Sequence, residues 1–427
     1  MSKAFLIGER LKTPPLRFNP SSLRAQHYDA RKGLRIYGPY DANRLGKESI
    51  RCSLIYPRNL RREAQRLIDG LINGNGIFPG MKGLFRVSLE VIKEREVERE
   101  VPSEIEQAIS AIIQNDDPDI VVIVISSKNE EIYVKVKSLL LGNGIPSQVV
   151  TAEKLRDVQE FPWILENIAL QIYAKIGGTP WTVASHSPKR ELVIGISRAM
   201  DRKKNYVVGF ITAFTHDGDY LFMYSLAPKP IKWDEPDEYR KGLANLIVNA
   251  YKEYERKVGK PSSIVIHLCK RPGKFREIES VKTALQEIGI DLPYALLHLN
   301  DDTNYRLFDT THPTYVPPAG IKVDIDPCTA LLFLDGRVQE RRRKRGVPRV
   351  LEVHMDKRST SPREDFPRLV RQVYEFSRVN WRGFNAQTIP ATLGYSYLIA
   401  RLVGEIGADD WNYVASAGRL RDKAWFL

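Results

Sequence analysis

The sequence predicts an α/β protein of two domains, a Rossmann-like parallel sheet followed by a ribonuclease-H-like sheet. Three observations carry that reading. From residue 49 to 176 short apolar runs alternate with helical periods, which implies a parallel sheet covered on both faces. The stretch "KIGGTPW" (175–181) breaks the pattern with two glycines and a proline. Beyond it three apolar runs follow at short intervals, as in an antiparallel meander, before helices and strands alternate again.

The elements follow in order. Residues 1–45 are rich in Pro, Arg and Gly with little periodicity, and read as an irregular lead-in. "SIRCSLIYP" (49–57) reads as a strand, "RREAQRLIDGLI" (61–72) as a helix and "GLFRVSLEVIK" (83–93) as a strand. "SEIEQAISAIIQ" (103–114) opens with Ser103 and carries Glu106 three residues on, the pattern of a capping box. A strand over 119–125, a helix over 130–141, a strand over 147–151 and a helix near 162–176 complete a domain spanning 46–178. The second domain, 179–427, opens with the meander "ELVIGIS", "YVVGFITAF" and "YLFMYSL". A helix (236–258), the strand "SSIVIHLC", a helix (276–289) and the strand "PYALLHL" come next, which is the ribonuclease-H-like order. "CTALLFL" and "RVLEVHM" read as strands flanking the basic run "RRRKR" (341–345), and helices near 363–378 and 391–406 close the chain. The basic run is either a solvated loop or a phosphate contact.

Composition narrows the function classes. Hydrophobic residues at 43% and aromatics at 9% exclude a disordered chain. A net charge of +13 and a pI near 9.4 favour a polyanionic partner, nucleic acid before a membrane surface, over a merely basic soluble protein. No apolar run reaches the ~18–20 residues that span a bilayer, and "MSKAFLIGERLK" has no signal-peptide core. Cys52, Cys269 and Cys328 are odd in number and lack ligand spacing, so reduced thiols, no zinc site and a cytoplasmic location are expected.

Tyr133 and Lys137 lie four residues apart on the helix after the apolar run "DIVVIVI", and so share a face. That places them near the C-terminal edge of the sheet, where α/β folds bind ligands. A solvated helix face is the alternative. A lysine supplies a point charge, an amide such as Gln148 a directed donor, and an aromatic ring a face for any base.

"YVKVK" (133–137), Gln148, "KIGGTPW" and a terminal "WFL" together resemble the MID–PIWI half of Argonaute proteins. "GLRIYGPY" (33–40), "IHLCKRP" (266–272) and "NWRGFNAQTIPAT" (380–392) fit the same family in the same order, from residue 33 to Leu427. Any single motif is weak; the ordered set is specific. At 427 residues the chain looks like the short prokaryotic kind, without the N-terminal and PAZ domains.

The resemblance implies that the MID pocket binds the 5′-phosphate of a guide strand. Tyr133 matches the tyrosine on which the first base stacks, Lys137 a phosphate-binding lysine, and Gln148 and Lys175 the remaining phosphate contacts. Gln171 departs from the lysine common one turn before Lys175. In some prokaryotic members a glutamine there joins the chain's own terminal carboxylate, here that of Leu427, in holding a divalent cation. Oxygen ligation of that kind suits Mg²⁺. Arg382 matches a guide-backbone contact. A surface helix residue and a structural surface arginine are the alternatives for Gln171 and Arg382.

An active PIWI domain holds two metal ions on strand-end acids. Ser197 stands where the first acid is expected, Lys270–Arg271–Pro272 where the second is expected, and "PATLGYSYL" (390–398) contains no Asp, Glu or His. No catalytic residue is therefore assigned. A displaced metal site would have to draw on Asp201, His298, Asp301, Asp302, Asp324 and Asp326. The resemblance further implies a complementary target, with RNA as guide and single-stranded DNA as target. It also implies an effector partner with an APAZ region and a sirtuin-like, TIR or nuclease domain, acting in defence against plasmids or phage. A guide-directed nuclease and a non-specific single-strand-binding protein are the competing functions.

Overall fold

The computed structural model describes residues 8–42, 45–185, 189–200, 206–225, 236–335, 347, 349–406, 411, 420 and 422–427. The basic run 341–345 and Asp201 lie outside the described residues. The chain divides into two compact units. One comprises Arg17–Trp181, Trp381–Phe384 and Leu402–Leu427; the other comprises Met1–Leu16, Thr182–Asn380 and Asn385–Arg401.

The first unit is built on four parallel strands: β1 (Ser49–Pro57), β2 (Ser88–Val97), β3 (Ile120–Ile125) and β4 (Ser147–Thr151), in the order β2-β1-β3-β4. All six residues of β3, Ile-Val-Val-Ile-Val-Ile, are buried, as a strand covered on both faces requires. Parallel strands need crossovers, and α1 (Arg61–Asn73), α2 (Pro102–Asn115) and α3 (Glu130–Gly142) lie on them; α4 (Phe161–Lys175) follows β4. Ile105, Ile109 and Ile112 of α2 meet Ile132, Val136 and Leu140 of α3 over Val121, Ile123 and Ile125 of β3. That stripe at i, i+4, i+8 fixes the rotation of α3.

Three local expectations change. Helix α2 begins at Pro102 with Val101 as N-cap and no side-chain cap. Proline fits the first helical position because its missing N–H has no partner there anyway, so the start moves ahead of Ser103. Glu104 then accepts the Arg99 N–H at 2.9 Å, and Glu106 pairs with Lys135 at 3.1 Å. The strand expected from residue 83 begins at Ser88, because Gly80–Phe85 is a short helix ended by Arg86 in the left-handed region (φ 61°). The lead-in also holds a helix, Ala30–Tyr37, capped by Asp29, whose carboxylate accepts the Lys32 N–H.

The second unit carries a nine-stranded sheet. Strands β5 (Glu191–Met200), β6 (Tyr206–Phe214) and β7 (Tyr220–Ser225) form the antiparallel meander. Strands β8 (Ser263–Leu268) and β9 (Tyr294–Asn300) then lie parallel to β5. With β10 (Ile321–Asp326), β11 (Thr329–Leu332), β12 (Leu351–Met355) and an edge strand Gly8–Arg10, the order is Gly8–Arg10, β10, β11, β12, β9, β8, β5, β6, β7. The edge strand escapes sequence reading because its three residues are all exposed and show no alternation. Helices α5 (Pro236–Val258) and α6 (Glu279–Ile288) cover one face with Leu243, Ile247, Tyr251 and Val281.

Helices α7 (Phe366–Ser377) and α8 (Ala391–Ile406) follow the sheet. A Cβ on Gly195 of β5 would come 2.2 Å from the Thr392 carbonyl oxygen, so only glycine lets the first turn of α8 approach so closely. Thr212 Oγ1 donates to that carbonyl at 2.9 Å, and His267 Nδ1 lies 2.8 Å from Thr392 Oγ1. At the start of β5, buried Glu191 accepts from both Arg368 Nη atoms and from Gln372, each at 2.8 Å, and from Ser263 Oγ at 2.9 Å.

Candidate nucleic-acid interface

Helix α3 is started by Asn129, whose side chain accepts the Ile132 N–H at 3.1 Å. Two turns on, Lys137 is only 3% exposed, and its Nζ donates to the Ser147 carbonyl at 2.9 Å. Lys175, the last residue of α4, is 2% exposed and donates to the same carbonyl at 3.0 Å and to Gln148 Oε1 at 2.7 Å. Two ammonium groups thus converge on one backbone oxygen. Among the described residues no carboxylate forms an ion pair with either.

The electrostatics follow from that isolation. Burial pushes the Lys137 ammonium down to about 7. Burial first, then the charges of Lys137 and Arg382, hold Lys175 well below the usual lysine range. Tyr133 is half-buried, with its ring centroid 5.5 Å from Lys137 Nζ. A solvated helix face is therefore excluded for Lys137. The convergence point is also not where the sequence placed it. Ser147 opens β4, so the lysines meet at the N-terminal edge of that strand. As a crossover, α3 runs back along the sheet, and a residue two turns in reaches the start of the next strand.

Gln171 lies one turn before Lys175, and its Nε2 donates to the Arg382 carbonyl at 2.9 Å. The Arg382 side chain is exposed. Gln148 and Gln171 line a cavity of about 510 Å³ whose other walls include Glu153, Asp157 and Glu160. Leu427 is buried, its N–H bonded to the Ala424 carbonyl at 3.2 Å. Among the described residues no hydrogen bond or ion pair joins its carboxylate to Gln171, Lys137 or Lys175. The structure therefore brings Tyr133, Lys137, Gln148 and Lys175 together, and ties Gln171 to the backbone of Arg382. Sequence reasoning missed Ser147, because its contribution is a backbone carbonyl, which any residue type supplies.

In the other unit, Ser197 is 4% exposed near the end of the apolar part of β5. Ile196 pairs with Leu268, and the Cys269 N–H reaches the Ile196 carbonyl at 3.4 Å, so Ser197 and the residues after β8 share one edge of the sheet. Lys270 pairs with Glu277, a buried acid that also accepts from Tyr239 Oη at 3.1 Å and the Gly273 N–H at 2.7 Å. The strand end is thus less positive than the sequence implied: Glu277 offsets Lys270 and leaves Arg271. His267 is fully buried and driven down to about 3 by desolvation. His298 falls to about 4, by burial first and the Arg271 charge second.

Three of the other acids have structural duties. Asp324 pairs with Lys322 at 2.9 Å, Asp326 Oδ1 accepts the Cys328 N–H at 2.8 Å, and Asp302 pairs with Arg349. Strand β10 lies five strands from β5, about 24 Å at ~4.8 Å per strand. Asp324 and Asp326 therefore do not converge with Ser197. Among the described residues no three His, Cys, Asp or Glu side chains are grouped to hold a metal ion, and no helix is long and apolar enough to cross a membrane.

The sequence pattern of the Piwi domain matches residues 120–406, more than half of the chain. The chain belongs to the Piwi family. It is 24% identical to a Piwi protein of Archaeoglobus fulgidus over 93% of both chains. It is also 24% identical to a Protein argonaute of Cereibacter sphaeroides, over 96% of this chain and 58% of that protein. The expected kinship with prokaryotic Argonautes therefore stands. Drosophila Piwi shares the fold at a TM-score of 0.74 and 17% identity, covering 98% of this chain and 56% of its own. Clostridium butyricum Argonaute, solved with a guide DNA and a 19-mer target DNA, shares it at 0.74 and 18%, covering 94% of this chain and 53% of its own. The Piwi chain described here thus spans little more than half the length of several relatives.

The lysine pocket makes a pH prediction. Lys137 titrates near 7 in the folded chain against an ordinary 10.5, so between those values the unfolded chain binds the proton more tightly. Raising pH through that window removes the burial penalty, and below about 7 the penalty is fully present. Denaturant melts of ligand-free protein should show Lys137→Met more stable than wild type near pH 7, with the gap narrowing toward pH 10. A gap independent of pH would mean that Lys137 is not a buried, destabilised cation.

Proposed function

We propose that this Piwi protein binds the 5′-phosphate of a small guide nucleic acid, an RNA, and uses it to capture a complementary single-stranded DNA. In this reading residues 46–178 form the guide-binding MID domain behind the lead-in 1–45, and 179–427 a PIWI domain that does not cut. One observation carries it: two buried lysine side chains meet at the Ser147 carbonyl, and among the described residues no carboxylate pairs with either. A phosphate supplies the missing anion, with Gln148 as a further polar contact, Tyr133 as a stacking face for the first base and Arg382 on the guide backbone. The guide DNA and target DNA held by the Clostridium butyricum relative support guide-directed capture of a DNA target, while the choice of RNA as guide rests on the family resemblance.

Gln171 and the Leu427 carboxylate are the donors proposed for a divalent cation. Gln171 Nε2 is taken by the Arg382 carbonyl, which leaves Oε1 as a lone-pair donor, and the terminal carboxylate has no ion-pair partner among the described residues. Two hard oxygens suit Mg²⁺, which when bound would offset guide phosphate charge. Non-cleavage follows from charge counting. Ser197 brings no carboxylate, Glu277 is already committed to Lys270, and 390–398 offers hydroxyls only. Two dications there would lack the anions to hold them. Any catalysis then resides in an effector partner of the APAZ type, sirtuin-like, TIR or nuclease, acting in prokaryotic defence in the cytoplasm. That part rests on the family resemblance, and a co-purifying partner whose activity ignores guide and target would remove it.

Lys137→Ala or Lys175→Ala should weaken binding of a 5′-phosphorylated guide by roughly 1–3 kcal/mol, the scale of a lost charge-assisted bond. The loss should shrink sharply for a 5′-hydroxyl guide; equal losses would move the pocket elsewhere. Residues appended after Leu427 displace the carboxylate and should reduce both guide affinity and its Mg²⁺ dependence, whereas an unchanged titration would release Gln171 and Leu427 from that role. Loaded protein should bind a complementary strand and leave it whole in Mg²⁺ or Mn²⁺, and Ser197→Asp alone should not restore cutting. Chelator-sensitive cleavage at one fixed target position would overturn the binding-only assignment.

A further inference from the structure

A second concave site lies in the same unit as the lysine pocket, along α1 and beside the start of α4. It is a groove of about 720 Å³ whose lining includes Arg62, Gln65, Arg66, Asp69, Asn73 and Phe161. Spacings of three and four along α1 put Arg62, Arg66, Asp69 and Asn73 on one helix face. The arginines of this stretch are not treated alike. Arg58 pairs with Glu98 and Arg61 with Glu96, and Glu63 pairs with Arg156. No carboxylate forms an ion pair with Arg62 or Arg66 among the described residues, although like charges one turn apart destabilise a helix.

Arg66 is held in place. Its Nη1 donates to the Leu155 carbonyl at 2.7 Å, and its guanidinium lies 4.0 Å over the ring of Phe161, itself 1% exposed. A planar cation fixed on one face by an aromatic ring offers its other face for stacking and its remaining N–H groups for hydrogen bonding. Arg62, one turn earlier, adds an exposed guanidinium, and Asp69 and Asn73 add an acceptor and an amide further along the groove.

We propose that this groove is a second anion site, in which Arg62 and Arg66 hold a phosphate group and the outer face of Arg66 takes a stacked base. The ligand class is a nucleotide, either free or as part of a single strand. The site shares no residue with the lysine pocket and stands without it.

Two ligands separate the sources: a fluorescent nucleoside monophosphate, and a labelled 12-mer single strand with a 5′-hydroxyl end. Binding is measured by polarisation to the full chain carrying Lys137→Ala and Lys175→Ala, so that the lysine pocket does not report. Arg62→Ala should weaken binding about tenfold, one charge-assisted hydrogen bond, and Arg62→Lys should recover part of it. Arg66→Gln should do the same, and unchanged thermal melting shows that either chain is folded. A loss on the 12-mer alone identifies a strand, and a loss on the monophosphate a free nucleotide. No loss on either ligand overturns the proposal. In the otherwise wild-type chain, Arg62→Ala should leave the ratio of 5′-phosphate to 5′-hydroxyl affinity unchanged. That ratio tests the lysine pocket alone, so the two sites can fail separately.

Discussion

The arrangement of the first unit turns on one carbonyl oxygen, that of Ser147, to which two buried lysines donate. Removing an ammonium from water costs several kcal/mol unless an opposite charge repays it. The same fold repays such penalties elsewhere. Buried Glu166 receives Arg31 at 2.6 Å and Arg35 at 3.6 Å, and in the other unit buried Glu191 is met by Arg368, Gln372 and Ser263. Among the described residues Lys137 and Lys175 meet only neutral oxygens, and the Ser147 hydroxyl beside them is buried without a partner. The ligand-free pocket is therefore a local charge conflict held in place by α3, β4 and α4. An anion bound as proposed would resolve it, and part of its binding energy would be the release of that conflict.

The other unit shows the opposite treatment of charge. Around the edge shared by β5 and β8, groups that could serve a metal are tied into the fold. Glu277 is saturated by Lys270, Tyr239 and the Gly273 N–H, and His267 is locked against Thr392. Because Gly195 lets the first turn of α8 sit directly on β5, that helix presents hydroxyls and a backbone carbonyl to the sheet. The residues at this edge thus have structural roles of their own, and a carboxylate placed at Ser197 would meet neighbours already committed to one another.

Much of this was legible in the sequence. The all-apolar run 120–125, the glycines at 177–178 and the meander after them place both sheets, because burial on two faces and turn chemistry leave direct marks on composition. Tyr133 and Lys137 were named by type and spacing, and Gln148 and Lys175 joined them through the family resemblance. What could not be read was carried by backbone or by a distant partner. Ser147 acts through its carbonyl, Arg86 ends a helix through a left-handed φ, and Pro102 outranks Ser103 as a helix start. Glu277 neutralises Lys270 across a turn that the pattern gives no reason to expect. The direction of α3 decided which edge of the sheet holds the pocket, and periodicity reports a helix face but not where along a strand a long side chain lands.

Helix α4 links the two candidate anion sites of the first unit. Its first residue, Phe161, backs Arg66 in the groove, and its last, Lys175, donates to Ser147. The helix of fifteen residues sets those ends about 21 Å apart, too far for one phosphate to touch both. Ten of them are buried, and Leu165 packs where a Cβ on Gly70 of α1 would sit, at 2.6 Å, so α1 and α4 are in direct contact. A helix gripped along its length moves as a rigid rod, and the two sites keep a fixed separation. The lysine pocket, closed and desolvated, suits a terminal phosphate; the groove, open along α1, suits a ligand that enters from the side. One buried helix therefore backs two candidate anion sites of different character, one at each end of α4.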